Sequence, residues 1–192
     1  MKKLFTALFM LLALAACGDK QLKFESTDIT GIDYAKGFAL NDHTGKPVTL
    51  DTYKGKVVVL FFGFTHCPDV CPTTMAEMSA VMKELGADAD KVQVLFATLD
   101  PERDTRELLS QYVPGFDPRF VGLYGTPEQT VATTKEFKMF YQKVPGKTAD
   151  SYTIDHLAGS YVFDKQGRIR LFLRHGKGTA PIVHDLKLLV AN

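Results

Sequence analysis

The sequence predicts an α/β fold with a central, mostly parallel sheet, helices on both faces and an antiparallel hairpin near the C-terminus. Two apolar runs, residues 57–62 and 92–99, have the length and continuity of strands buried on both faces. Apolar residues at helical spacing follow each run, and alternating strand and helix imply a parallel core. Near the end, residues 160–163 and 168–173 flank Asp164-Lys165-Gln166-Gly167, a turn sequence that joins antiparallel strands.

Taken in order, residues 19–30 are polar and weakly periodic and suggest a tether. Phe38-Ala39-Leu40 and Pro47-Val48-Thr49-Leu50 flank Asn41-Asp42-His43-Thr44-Gly45, a hairpin whose Gly45 suits positive φ. Pro72 fits the first position of a helix whose Met75, Met78, Val81, Met82 and Leu85 recur at i, i+3, i+4 spacing and whose end is Gly86. The methionines are tempting as metal ligands, but such a stripe is more simply a core face. Asp104-Thr105-Arg106-Glu107 resembles a capping box, with Asp104 as cap, opening a helix to Tyr112. A short strand at 120–124, a helix at 127–139, a polar loop at 140–154 and an amphipathic helix at 181–190 complete the chain. This order is thioredoxin-like, with residues 31–192 as the folded domain.

Composition excludes several classes. The chain has 192 residues, 45% hydrophobic and 23% charged, with a formal charge of +1. A nucleic-acid surface would need a basic excess, and none exists. Three cysteines are too few for a disulfide scaffold. Residues 1–16 have the form of a secretory signal: Lys2 and Lys3, then an apolar stretch too short to span a bilayer, which takes about 20 residues. Leu14-Ala15-Ala16-Cys17 resembles the bacterial lipobox, which implies a lipidated Cys17, a tether over 17–30 and a domain held at the cell membrane facing the periplasm. Cleavage would remove Lys2 and Lys3 and leave 21 basic against 22 acidic residues, so the lipid alone would hold the membrane.

The chemistry concentrates in Gly63-Phe64-Thr65-His66-Cys67-Pro68-Asp69-Val70-Cys71-Pro72, between the strongest strand and the first core helix. Ligands of open α/β sheets bind beyond the carboxyl ends of strands. A thiol at a helix N-terminus is expected to have its thiolate stabilised, and thiolates attack disulfides or bind soft metals. Three residues separate Cys67 and Cys71, where redox motifs usually have two. Two thiolates suit Cu(I), and an added imidazole accommodates Cu(II); structural zinc would want a fourth ligand. Two cysteines that merely pack are the bland alternative, poorly suited to a proline-flanked turn in an oxidising compartment.

That stretch, together with Leu99-Asp100-Pro101-Glu102-Arg103-Asp104-Thr105 and Asp155-His156, resembles the Sco/SenC family, from about residue 38 to the last helix. The resemblance implies a thioredoxin-like fold and copper held by Cys67, Cys71 and His156. It implies help in building the binuclear copper centre of cytochrome c oxidase. The partners would be the copper-bearing oxidase subunit, other copper chaperones or thiol reductants, and the membrane. In thioredoxin-like folds the residue before the strand at 160–163 lies against the cysteine pair, which suits His156. Asp155 is a candidate to orient that imidazole and Asp69 to tune the charge of the site. His66 is expected to face solvent, as are His43, His175 and His184. Asp100 and Arg103 follow a strand end and so lie on the functional edge. The other reading is an enzyme, a periplasmic thiol–disulfide oxidoreductase that keeps oxidase cysteines reduced through the same Cys67–Cys71 pair; it would not require His156. A peroxidase is disfavoured, because Thr65 lies two residues before Cys67 and not three. A copper or redox sensor is a third class, which transfer to an acceptor would separate from a carrier.

Overall fold

The computed structural model describes residues 22–148 and 151–192. The expected signal segment and lipidated Cys17 lie outside them. Among the described residues ten strands form: β1 (Thr27–Asp28), β2 (Ala39–Asp42), β3 (Pro47–Thr49), β4 (Val57–Gly63), β5 (Val92–Thr98), β6 (Val121–Tyr124), β7 (Tyr141–Pro145), β8 (Tyr152–His156), β9 (Gly159–Phe163) and β10 (Ile169–Arg174). The described residues also form the α-helices α1 (Val70–Leu85), α2 (Arg106–Tyr112), α3 (Pro127–Glu136) and α4 (Thr179–Ala191). None of the described helices is long and apolar enough to cross a membrane.

Eight strands make one sheet in the order β1-β10-β9-β4-β5-β6-β2-β3. The expected parallel core is its centre, where β4 pairs with β5 and β5 with β6. The five pairings outside that centre are antiparallel, including the C-terminal hairpin β9–β10. Every residue of β4 and β5 is buried, as continuous apolar runs require of strands covered on both faces. Neighbouring residues of β4 point to opposite faces. Phe61 meets Phe96, whose other neighbour is Tyr112 at the end of α2, with ring centroids 5.9 and 5.8 Å apart. Phe62 meets Phe137, just past α3, at 5.1 Å. Helices therefore cover both faces, and α1 packs against α4.

The methionine stripe of α1 is core: Met75, Met78 and Met82 are buried. Gly86 ends that helix at φ +59°, a left-handed conformation that glycine adopts without strain. The helix begins at Val70, so Pro72 is its third residue and not its first. It is tolerated there because the N–H groups of the first turn have no intrahelical partner.

Three further expectations are corrected. The polar loop expected at 140–154 holds β7, and β8 runs from its end to His156; together they form a separate two-stranded sheet. Residues 25–28, expected within a tether, dock on the domain: β1 pairs with β10, and the fully buried Asp185 of α4 accepts from the N–H groups of Glu25 (2.9 Å) and Ser26 (2.8 Å). The cap of α2 is Thr105, whose hydroxyl accepts from the Leu108 N–H, and not Asp104.

Candidate metal centre

Strand β4 delivers the chain to the site. Its last residue, Gly63, bonds through its carbonyl to the Leu99 N–H at 2.8 Å, which ties the ends of β4 and β5 together. A Cβ on Gly63 would lie 2.8 Å from the Phe61 ring, 2.9 Å from the Cys71 Sγ and 2.9 Å from the Phe96 ring. Glycine at this position is therefore what lets Cys71 sit against the strand. After Phe64 the chain turns, with the Cys67 N–H donating to the Phe64 carbonyl at 3.2 Å.

The turn is held from beneath by Asp104. This buried carboxylate accepts from the Thr65 N–H at 3.0 Å, the Thr65 hydroxyl at 2.6 Å and the Thr98 hydroxyl. Asp104 thus belongs to the site, although its local sequence imitates a helix cap. His66 is half exposed, its Nδ1 3.1 Å from the Thr65 hydroxyl and 3.7 Å from Asp104, in line with the expectation that it faces outward.

Both Cys67 and Cys71 are free thiols; Cys67 is half-buried and Cys71 fully buried. The Cys71 N–H points at the Cys67 Sγ, 3.4 Å away. Burial pushes the Cys71 thiol well above its ordinary value, against the Phe64 backbone hydrogen bond, and the nearby Cys67 and Asp104 push it further. The expected helix-terminus lowering is therefore overruled for Cys71 by desolvation, because its side chain enters the core.

His156 ends β8 and reaches the same place. Its Nε2 lies 3.9 Å from the Cys71 Sγ, and its Nδ1 lies 3.1 Å from the Leu157 carbonyl. A carbonyl only accepts, so the Nδ1 carries the proton and the Nε2 lone pair faces the thiol. Phe61 and Phe64 flank the ring at 6.3 and 6.2 Å. Burial pushes the imidazole below its ordinary value; the Leu157 carbonyl and the Asp155 charge only partly oppose this. Asp155 is exposed and paired opposite Gln142, so strand alternation turns it away from His156; the Leu157 carbonyl orients the ring instead. Asp69 is also exposed, and its side chain makes no capping bond to α1.

The structure thus brings His156, 85 residues further along the chain, to 3.9 Å from the Cys71 Sγ, while Cys67 stands with its Sγ 3.4 Å from the Cys71 N–H. Among the described residues no trio of His, Cys, Asp or Glu is already gathered in metal-binding geometry. The Cys71–His156 gap is one that a metal ion with bonds of about 2.0–2.3 Å could bridge. Among the other histidines, His43 and His175 make specific contacts that sequence did not suggest: His43 Nδ1 accepts from the Gly122 N–H at 2.9 Å, and His175 Nδ1 lies 2.8 Å from the Thr74 hydroxyl. His184 is exposed beside Asp185 at 2.9 Å. Tyr112 also escaped sequence reasoning. Its hydroxyl is buried with no hydrogen-bond partner among the described residues, and burial, with the neighbouring Cys71 and Cys67 acting the same way, pushes its phenol up.

Comparison with known proteins identifies relatives of the chain. The mouse mitochondrial protein named SCO2 homolog is 33% identical over 156 residues, 80% of this chain and 61% of its own length, so the chain spans less than two thirds of that relative. The copper-bound structure of Bradyrhizobium japonicum ScoI is 41% identical with a TM-score of 0.73, covering 80% of this chain and 97% of that one. The apo Sco1 solution structure from Thermus thermophilus is 38% identical with a TM-score of 0.77, covering 88% and 99%. The model of the SCO1/SenC family matches residues 27–191, and the chain belongs to that family.

Proposed function

We propose that this chain is a copper carrier that takes one copper ion through Cys67, Cys71 and His156 and passes it to the copper-bearing subunit of cytochrome c oxidase. The observation that carries the reading is the Cys71 Sγ facing the unprotonated Nε2 of His156 across 3.9 Å. The copper bound in the B. japonicum relative supports copper as the cargo. Soft thiolates and an imidazole are the donors such a cargo selects. Cys67, half-buried at the mouth, is the ligand that closes on loading and opens on release. A three-donor shell leaves room for an acceptor thiolate to enter before the carrier lets go. By the same reading, Cys17 carries a lipid that keeps the domain at the cell membrane facing the periplasm. Loss of membrane association in Cys17→Ser is its test.

The test of the carrier is copper binding to the full chain in detergent with its thiols reduced. Cu(II) is followed by thiolate charge-transfer absorption and Cu(I) by competition with a chromogenic chelator. One equivalent is expected, with His156→Ala, Cys71→Ser and Cys67→Ser each weaker by about tenfold or more, the scale typical of a disturbed metal site. A wild type that binds no copper, or a His156→Ala that binds as the wild type does, sinks the reading. The thiol–disulfide oxidoreductase would then take its place. The half-exposed Cys67 beside a second free thiol favours that alternative.

A further inference from the structure

Among the described residues strands β7 and β8 pair only with each other, yet β8 carries His156. What fixes this hairpin against the domain therefore decides where the imidazole stands. Along β8 the inward positions are Tyr152, Ile154 and His156, and the outward ones Thr153 and Asp155 are exposed. Ile154 is buried. Tyr152 lies at the far end of the strand, about 13 Å from His156 at about 3.3 Å per residue.

Tyr152 is clamped by the turn that follows β5. Its hydroxyl donates to one oxygen of Asp100 at 2.7 Å, and its carbonyl accepts from the Arg103 Nη1 at 3.0 Å. The Arg103 guanidinium carbon sits 3.5 Å from the centre of the Tyr152 ring, and its Nε bonds the second oxygen of Asp100. Asp100 is wholly buried, and its N–H is fixed by the Thr98 hydroxyl at 2.9 Å. The Arg103 Nη2 is buried with no hydrogen-bond partner among the described residues, so the tyrosine ring face is what covers that part of the cation. This clamp stands on the same strand end that Gly63 ties to β4. It joins the hairpin to the frame that holds the cysteine turn.

We infer that Asp100, Arg103 and Tyr152 form a latch that positions His156, so that the end of the hairpin remote from the metal sets how tightly copper is held. The inference rests on the copper reading above, with His156 as a ligand. The three are positioning residues: none of them touches the thiols or the imidazole. The Lys143–Glu102 pair, at 2.6 Å, is exposed on both sides; Lys143 Nζ also lies 4.7 Å from the Tyr152 ring centre, but from the solvent side, so Glu102 is not counted in the latch.

The experiment uses the full chain and three readouts: amide exchange of the metal-free protein, Cu(I) affinity, and the nitrogen hyperfine signature of imidazole on bound Cu(II). In Tyr152→Leu, the β7 and β8 amides should exchange about tenfold faster while those of β4 and β5 keep their rates. Copper should be held about tenfold less tightly and the imidazole signature should weaken. The double variant with His156→Ala should bind no worse than His156→Ala alone, because the latch acts only through that ring. Tyr152→Phe, which keeps the ring and loses the hydroxyl, should fall between Tyr152→Leu and the wild type, and Glu102→Gln should match the wild type. Unchanged hairpin exchange in Tyr152→Leu overturns the latch. So does a loss of affinity that adds to that of His156→Ala. Equal copper binding by the wild type and His156→Ala overturns the copper reading instead, and is recognised separately because it does not involve Tyr152.

Discussion

Replacing Gly63 with alanine tests how closely the cysteine helix is fitted to its strand. The added Cβ meets two aromatic rings and the Cys71 Sγ at 2.8–2.9 Å, where ordinary contact starts at 3.4 Å. Each neighbour must retreat by about half an ångström, and close-packed interiors resist such shifts. Phe61, Cys71 and Phe96 are all fully buried, so none has solvent to retreat into. Overpacking of this kind costs about 1–3 kcal/mol. Gly63 is not among the positive-φ glycines, so alanine regains about 0.4–1 kcal/mol by restricting the unfolded chain. A net loss of roughly 1–2 kcal/mol remains, which for a domain of this size lowers Tm by about 2–8 °C. The same shift moves the Cys71 Sγ relative to His156, so Cu(I) affinity should fall with the melting temperature. Thermal melts of the metal-free protein and chelator competition measure the two effects. A Gly63→Ala protein that melts and binds copper as the wild type does would refute the idea that this glycine is required for contact. Retained affinity with a lowered Tm would show that the site tolerates the movement.

Two further outcomes follow from buried carboxylates. Asp104→Asn must set an amide NH2 against donors from Thr65 or Thr98, and an unsatisfied buried group costs about 1–3 kcal/mol, so Tm should fall and the Thr65–Cys67 turn should loosen; a melt and turn-amide exchange equal to the wild type would contradict its role. Asp164 is buried, which raises its carboxyl, but the Arg168 N–H and the Arg168 and Arg170 guanidinium groups outweigh that and hold it below the usual carboxylate range. A depressed folded-state pKa contributes stability above the unfolded value of about 3.9 and loses it as the pH falls through the folded one, so Tm should drop with acid below about pH 4 and drop less steeply in Asp164→Asn; identical acid limbs would count against the assignment.

The parts of the fold legible in sequence are those whose burial is written locally. The run at 57–62 and the Met75-Met78-Met82 stripe announce a strand and a helix face because each repeats with the period of its element. The cysteine turn was legible for the same reason, lying between a strong strand and a strong helix. The hairpin β7–β8 was not. Its sequence is largely polar, only Ile154 of its strand residues is fully buried, and it is held by a few tertiary contacts, chiefly those of Tyr152. Asp104 misled because Asp-Thr-Arg-Glu suits a cap locally, and only the approach of Thr65, 39 residues away, shows what the carboxylate serves. The Cys71 thiol misled similarly: its place in α1 suggests activation, but its direction into the core decides its ionisation.

The docking of residues 25–28 has a mechanical consequence. Tension applied to the chain ahead of Leu22 meets the packing of Leu22 and Phe24 on the core, then the Asp185 carboxylate and the β1–β10 pairing. In the sheet order, β10 and β9 stand between β1 and β4. That places three interstrand spacings, about 14 Å, between the loaded edge and the strand that carries the cysteine turn. A pull on the chain at that end, such as the proposed lipid anchor would exert, is borne by the docked segment, an edge strand and one helix, so the domain is reoriented while the distance from Cys71 to His156 stays as it was.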